Sequence, residues 1–138
     1  MNMENRNAKP PSAIVFWVIW FAILNGLFII LFFAAGGIPE GKNQGEAPLA
    51  FVAVAGLLIL IAMSIRFFVI PKLDSYEKLL PAMIVGLALA ESVGIIGMFV
   101  IGKEFPETQL ALFVVSVSAV VTFAPFYVSG LAERKKMR

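Results

Sequence analysis

The stretch Leu79 to Gly102, LLPAMIVGLALAESVGIIGMFVIG, is almost wholly apolar and carries a single charge, Glu91, ten residues after Pro81 and eleven before Gly102. A hydrocarbon core about 30 Å thick is crossed by about 20 residues of helix, so this run is long enough to span a bilayer. Three more runs of the same kind surround it. Ser12 to Gly36 carries no charge, Pro48 to Ile70 carries only Arg66 in its last turn, and Leu110 to Leu131 follows Pro106 and Glu107. Composition agrees, because 60% of the 138 residues are apolar and only 14% are charged. A soluble domain has roughly 45–50% and about 25%. The expected fold is therefore all-α: an integral membrane four-helix bundle with helices over 12–36, 48–70, 79–102 and 110–131. It forms a single transmembrane domain over 1–138, with no soluble domain.

The Lys and Arg residues predict an orientation. Arg6, Lys9, Arg66, Lys72, Lys78, Arg134, Lys135, Lys136 and Arg138 all fall on one side of the four spans, and only Lys42 and Lys103 on the other. Positive residues accumulate on the cytoplasmic side, so both termini are expected there, in an inner (cytoplasmic) membrane. Trp17, Trp20 and Tyr127 lie toward the same face, as interfacial aromatic anchors do. Arg66 is expected to snorkel toward the headgroups. The first run ends in Ala34-Ala35-Gly36, small residues of the kind found at signal cleavage sites. It is much longer than the apolar core of about 7–15 residues in a signal peptide, and is read as a retained anchor.

The chain has neither His nor Cys. That removes imidazole-ligated haem, structural zinc, thiolate clusters, disulfides and catalytic triads. No nucleophile has a base beside it, so an enzyme is the least favoured class, and neither a cofactor nor a metal centre is expected. The formal net charge of +2 gives no basis for nucleic-acid binding. The basic tail Arg134 to Arg138 serves either anionic lipid binding or topology.

Glu91 is what the spans leave unexplained. An ionised side chain at mid-membrane costs roughly 2.5–3.5 kcal/mol on insertion scales, and no Lys or Arg lies at its depth, so it is expected to be neutral or to hold a cation. Asn25, Ser92, Ser116, Ser118 and Thr122 are the polar residues at comparable depth. Of these, Asn25 and Ser92 join Glu91 as candidate ion-binding residues. The plain alternative for a membrane carboxyl, as for Asn25, is a hydrogen bond that holds two helices together. Hydroxyls in membrane helices often bond back to their own helix. Gly86, Ala90 and Gly94 recur four residues apart with Gly97 beside them, a small-residue stripe that admits close helix packing. Glu91 falls about a quarter turn away from the stripe.

The run Gly86-Leu87-Ala88-Leu89-Ala90-Glu91 and the mixed Ile, Gly and Val segment after it resemble the carboxylate-bearing second helix of the c subunit, or proteolipid, of rotary ATP synthases and ATPases. The resemblance implies that Glu91 carries H⁺ or Na⁺, with Ser92 matching a serine that helps coordinate sodium in some members. It also implies a ring of identical subunits, and the second and third spans would form the family's hairpin around a cytoplasmic loop. The chain departs from the family in its second span, which has only Gly56 where a glycine repeat is usual, and in having two additional spans.

Two functional expectations follow. The first is a small multi-pass, proteolipid-like membrane subunit that binds or translocates H⁺ or Na⁺ on Glu91 within an oligomer. The second is a non-catalytic accessory or assembly subunit of a larger membrane complex, with Glu91 as an interhelical hydrogen-bonding residue. The partners in either case are the bilayer and other transmembrane subunits or copies of the chain itself.

Overall fold

A computed structural model describes residues 12–136. Arg6 and Lys9, counted above toward the basic face, lie outside the described residues, as do Pro10, Pro11, Met137 and Arg138. The described chain is all-helical. Helix α1 spans Ala13–Ala34, α2 Leu49–Lys72 and α3 Tyr76–Ile101; the fourth span, Pro106–Leu131, divides into α4, Pro106–Thr122, and α5, Tyr127–Lys136. These four spans are each long and apolar enough to cross a membrane, and they fit a small multi-pass membrane protein. The first three widen into a π-helical stretch near their ends, at Ile30–Ala34, Ile65–Val69 and Ile96–Ile101, and the second then finishes in a 3-10 turn, Ile70–Lys72.

The helices are not equivalent. About 44% of the most apolar window is buried in the third and fourth spans, against 17% in α1 and in α2. The α3–α4 pair is thus the centre of the bundle. Helices α1 and α2 each lean on both members of that pair and hardly touch one another, which puts them in its two opposite grooves. Phe16, Leu27 and Leu31 are the core residues of α1, whereas α2 buries only Ala55 and Ala62 in its α-helical part. Small side chains seven residues apart lie on one helix face and let α2 come close to its neighbours. The remaining surface of α1 and α2, including Phe21, Phe33, Leu57 and Leu60, is exposed and apolar, as lipid-facing helices require.

The central contact depends on glycine. A Cβ on Gly94 would stand 2.9 Å from Ser116 Oγ, and one on Gly97 would stand 2.9 Å from Leu112 Cβ. A Cβ on Gly86 would overlap the ring of Phe123. At these points α4 occupies the space a side chain would need.

The fourth span breaks at Pro125, which has no N–H to give. Ala124 bonds to Val121 O at 3.0 Å and Phe126 to Ala124 O at 2.8 Å, so neither reaches back four residues. Val120 O keeps only the short bond from Phe123 N–H, at 3.1 Å, and Thr122 O is left without a backbone donor. Trp20 Nε1 donates to Val120 O at 2.8 Å, and Arg66 Nε donates to Thr122 O. A freed carbonyl in an apolar setting costs several kcal/mol if nothing meets it; here α1 and α2 each supply a donor. Arg66 also stacks its guanidinium 4.7 Å from the centre of the Tyr127 ring. The cation expected to reach outward for headgroups therefore has polar and aromatic partners within the fold.

At the other end of the bundle the two loops lie on each other. Phe105 precedes α4 and offers no side-chain cap. Asn43, from the first loop, takes that role: its Oδ1 accepts from the backbone N–H of Glu107 at 3.1 Å and of Thr108 at 3.4 Å, and its Nδ2 donates to Thr108 Oγ1 at 2.9 Å. Gln44 N adds a backbone bond to Glu104 O at 2.9 Å.

Candidate functional site

Glu91 stands slightly past the midpoint of α3, and Gly26 at the same relative position of α1. The two helices run in the same direction, so the residues meet at one level. A Cβ on Gly26 would be 3.8 Å from Glu91 Oε1, in ordinary contact. The missing side chain at Gly26 leaves room for the carboxyl in the seam between α1 and α3. Glu91 is only partly buried there. None of the hydrogen bonds or ion pairs among the described residues involves its carboxyl; the one ion pair, Lys78–Asp74, is exposed and at 3.4 Å.

The other candidate residues are engaged elsewhere. Ser92 Oγ donates to Ala88 O at 2.7 Å and Asn25 Nδ2 to Phe21 O at 2.8 Å, both within their own helices. Thr122 Oγ1 likewise bonds back to Ala119 O at 2.7 Å. Ser116 behaves differently. Its buried hydroxyl crosses from α4 to α3 and donates to Ala90 O at 2.7 Å, at the peptide preceding Glu91. That bond ties the backbone at Glu91 to α4 while the carboxyl is directed toward α1.

Gly86, Ala90, Gly94 and Gly97 are all buried on the α3 face, and the three glycines meet side chains of the fourth span, Phe123 just after α4 and Ser116 and Leu112 within it. One face of α3 is filled by α4 and the adjacent face presents the acid to the seam. No set of three or more His, Cys, Asp or Glu residues that could hold a metal occurs among the described residues.

Residues at the loop-bearing end escaped the sequence reading. Gln109, one residue ahead of the apolar run Leu110 to Leu131, lies inside α4 at 2% exposure, and its Oε1 has no hydrogen-bond partner among the described residues. A polar residue one turn after Pro106 is the available signal, because proline starts helices and so moves Gln109 into the helix. No protein family, curated protein or solved structure matches the chain.

Proposed function

We propose that this chain is a small multi-pass membrane subunit that binds a proton on Glu91 at mid-membrane and works beside other transmembrane helices. It resides in a cytoplasmic membrane with both termini on the cytoplasmic side. The observation that carries the reading is the Glu91 carboxyl in the α1–α3 seam, partly accessible and without a partner among the described residues. A carboxyl that only joined helices within the bundle would be expected to bond one of them. Polar groups that persist inside membranes without such a bond mark ion or proton handling by default. Proton over sodium is favoured by the neighbours, since Ser92 and Asn25 turn onto their own helices and no oxygen cage converges on the carboxylate. Chemically, charge on an acid in an apolar seam has to be met by water or by a donor brought by a neighbouring chain.

Labelling with a hydrophobic carbodiimide, which attacks protonated carboxyls in apolar surroundings, tests this in native membranes. Modification should map to Glu91, decline as the pH is raised, and be indifferent to sodium. Modification confined to the other acids overturns proton binding, and protection by sodium replaces the proton with that ion. The accessory-subunit reading draws on the same unpartnered carboxyl, which would then bond a neighbour's helix. It predicts labelling only after the chain is separated from the subunits that co-purify with it.

A further inference from the structure

The loop-bearing end of the bundle holds a cavity of about 190 Å³, walled by the last residue of the α1 region, the Gly36–Glu40 segment, Lys103 and the first turn of α4. Three of its lining residues carry polar side chains: Glu40, Lys103 and Gln109. Glu40 and Lys103 bring opposite charges to the lining without pairing with each other. The ammonium of Lys103 lies against the turn at Gly36, 3.8 Å from where a Cβ would be. Gly36 and Gly37 have φ of +87° and +101°, which side-chain-bearing residues rarely adopt, so the wall beside the ammonium is bare backbone. Gln109 adds a buried amide oxygen with nothing to accept from, a state native structures rarely leave unexplained.

We propose that this cavity binds a small zwitterion bearing a primary ammonium and a phosphate, the chemistry of ethanolamine phosphate. Glu40 and the Gln109 amide oxygen accept from the ammonium, and Lys103 holds the phosphate. A ligand of single charge would leave one wall charge unanswered. A quaternary ammonium has no N–H for Gln109. Room for about six water volumes at roughly 30 Å³ each suits a headgroup and falls short of the ~300 Å³ that larger ligands occupy. The cavity lies where the apolar helices end, at the level of lipid headgroups. The ligand is therefore either the head of a phosphatidylethanolamine or the free solute. The site is separate from Glu91 and does not depend on proton binding there.

The full chain, purified in detergent and exposed to an equal mixture of phosphatidylethanolamine, phosphatidylcholine and phosphatidylglycerol, is read by native mass spectrometry for retained lipid. Phosphatidylethanolamine should be retained several-fold over the other two. Gln109→Leu should abolish the preference and Gln109→Glu, which keeps an acceptor, should preserve it. Glu40→Gln and Lys103→Gln, both at exposed positions, should weaken it without disturbing the fold, so the test survives if the Gln109 variants do not fold. Equal retention of phosphatidylethanolamine and phosphatidylcholine overturns the proposal, as does a preference unchanged in Glu40→Gln and Lys103→Gln. With preferential retention established, displacement by free ethanolamine phosphate assigns the site to the solute, and persistence assigns it to the lipid.

Discussion

The indole N–H of Trp20 donates to the carbonyl oxygen of Val120 at 2.8 Å, a bond across 100 positions of sequence that joins α1 to the break in the fourth span. The helical pattern tightens ahead of Pro125, so that Val120 O accepts from Phe123 N–H at 3.1 Å instead of from Ala124, and the indole adds a second donor from α1. Trp20→Phe keeps the aromatic volume but removes the donor. It should destabilise the protein in detergent by about 0.5–1.5 kcal/mol, the net worth of one hydrogen bond whose acceptor keeps its backbone donor Phe123, as measured by denaturant unfolding. Trp17→Phe, which removes no hydrogen bond but alters edge-on contacts with Trp20 and Phe126 at 5.7 and 5.1 Å, should cost less.

Arg66 meets the carbonyl that the break leaves without a backbone donor, at Thr122, and lies over Tyr127. Lysine retains the charge but loses the planar group that donates and stacks at once. Arg66→Lys should therefore raise amide exchange at residues 123–128 nearly as much as Arg66→Gln. Full rescue by lysine would show that charge alone matters at this position.

Glycines separate by location. Gly86→Ala drives a methyl into the buried Phe123 ring and should cost about 1–3 kcal/mol, as overpacking does. Gly56→Ala meets nothing within 4 Å and should be neutral or stabilising by up to ~1 kcal/mol, since alanine is the better helix former. Thermal midpoints of the two variants in one detergent make the comparison.

Asn43 caps α4 from a separate loop. Asn43→Ala should cost about 0.5–2 kcal/mol and increase proteolysis of the first loop, which loses its hold on the second. Asn25→Ala, whose amide bonds only its own helix, should leave stability within ~0.5 kcal/mol. Limited proteolysis followed by mass mapping reads both.

Glu91→Gln should leave the stability of the isolated chain within ~0.5 kcal/mol, because the carboxyl has no partner among the described residues, while abolishing carbodiimide modification at that position. A loss of 1–2 kcal/mol in unfolding experiments on the isolated chain would instead indicate a hydrogen bond within the bundle.

The four apolar runs, their order and the acid within the third were legible because hydrocarbon imposes a length and forbids unpaired charge, and both constraints are visible in linear sequence. The stripe of Gly86, Ala90, Gly94 and Gly97 was legible for a related reason, since helical periodicity turns spacing into a face. Pro125 was visible too, yet hydropathy alone runs smoothly across it, so the fourth helix read as continuous. The consequence of the proline depends on which side chains stand opposite the freed carbonyls, and Trp20 and Arg66 are far away in sequence.

Linear sequence by itself thus determined that the chain forms membrane-length helices, which residues are too polar for that setting, and which face of α3 admits a close neighbour. Only the tertiary structure decided that α4 fills that face, that Glu91 turns instead to Gly26 in the α1–α3 seam, and that Ser92 and Asn25 do not join it. It also decided that Glu40, Lys103 and Gln109, scattered over two loops and a helix, share one cavity. The physical reason is that an almost uniformly apolar helix carries little information about its rotation and its partners. Those are selected by close packing and by the few hydrogen bonds that reach from one helix to another, and both arise only once the helices have met.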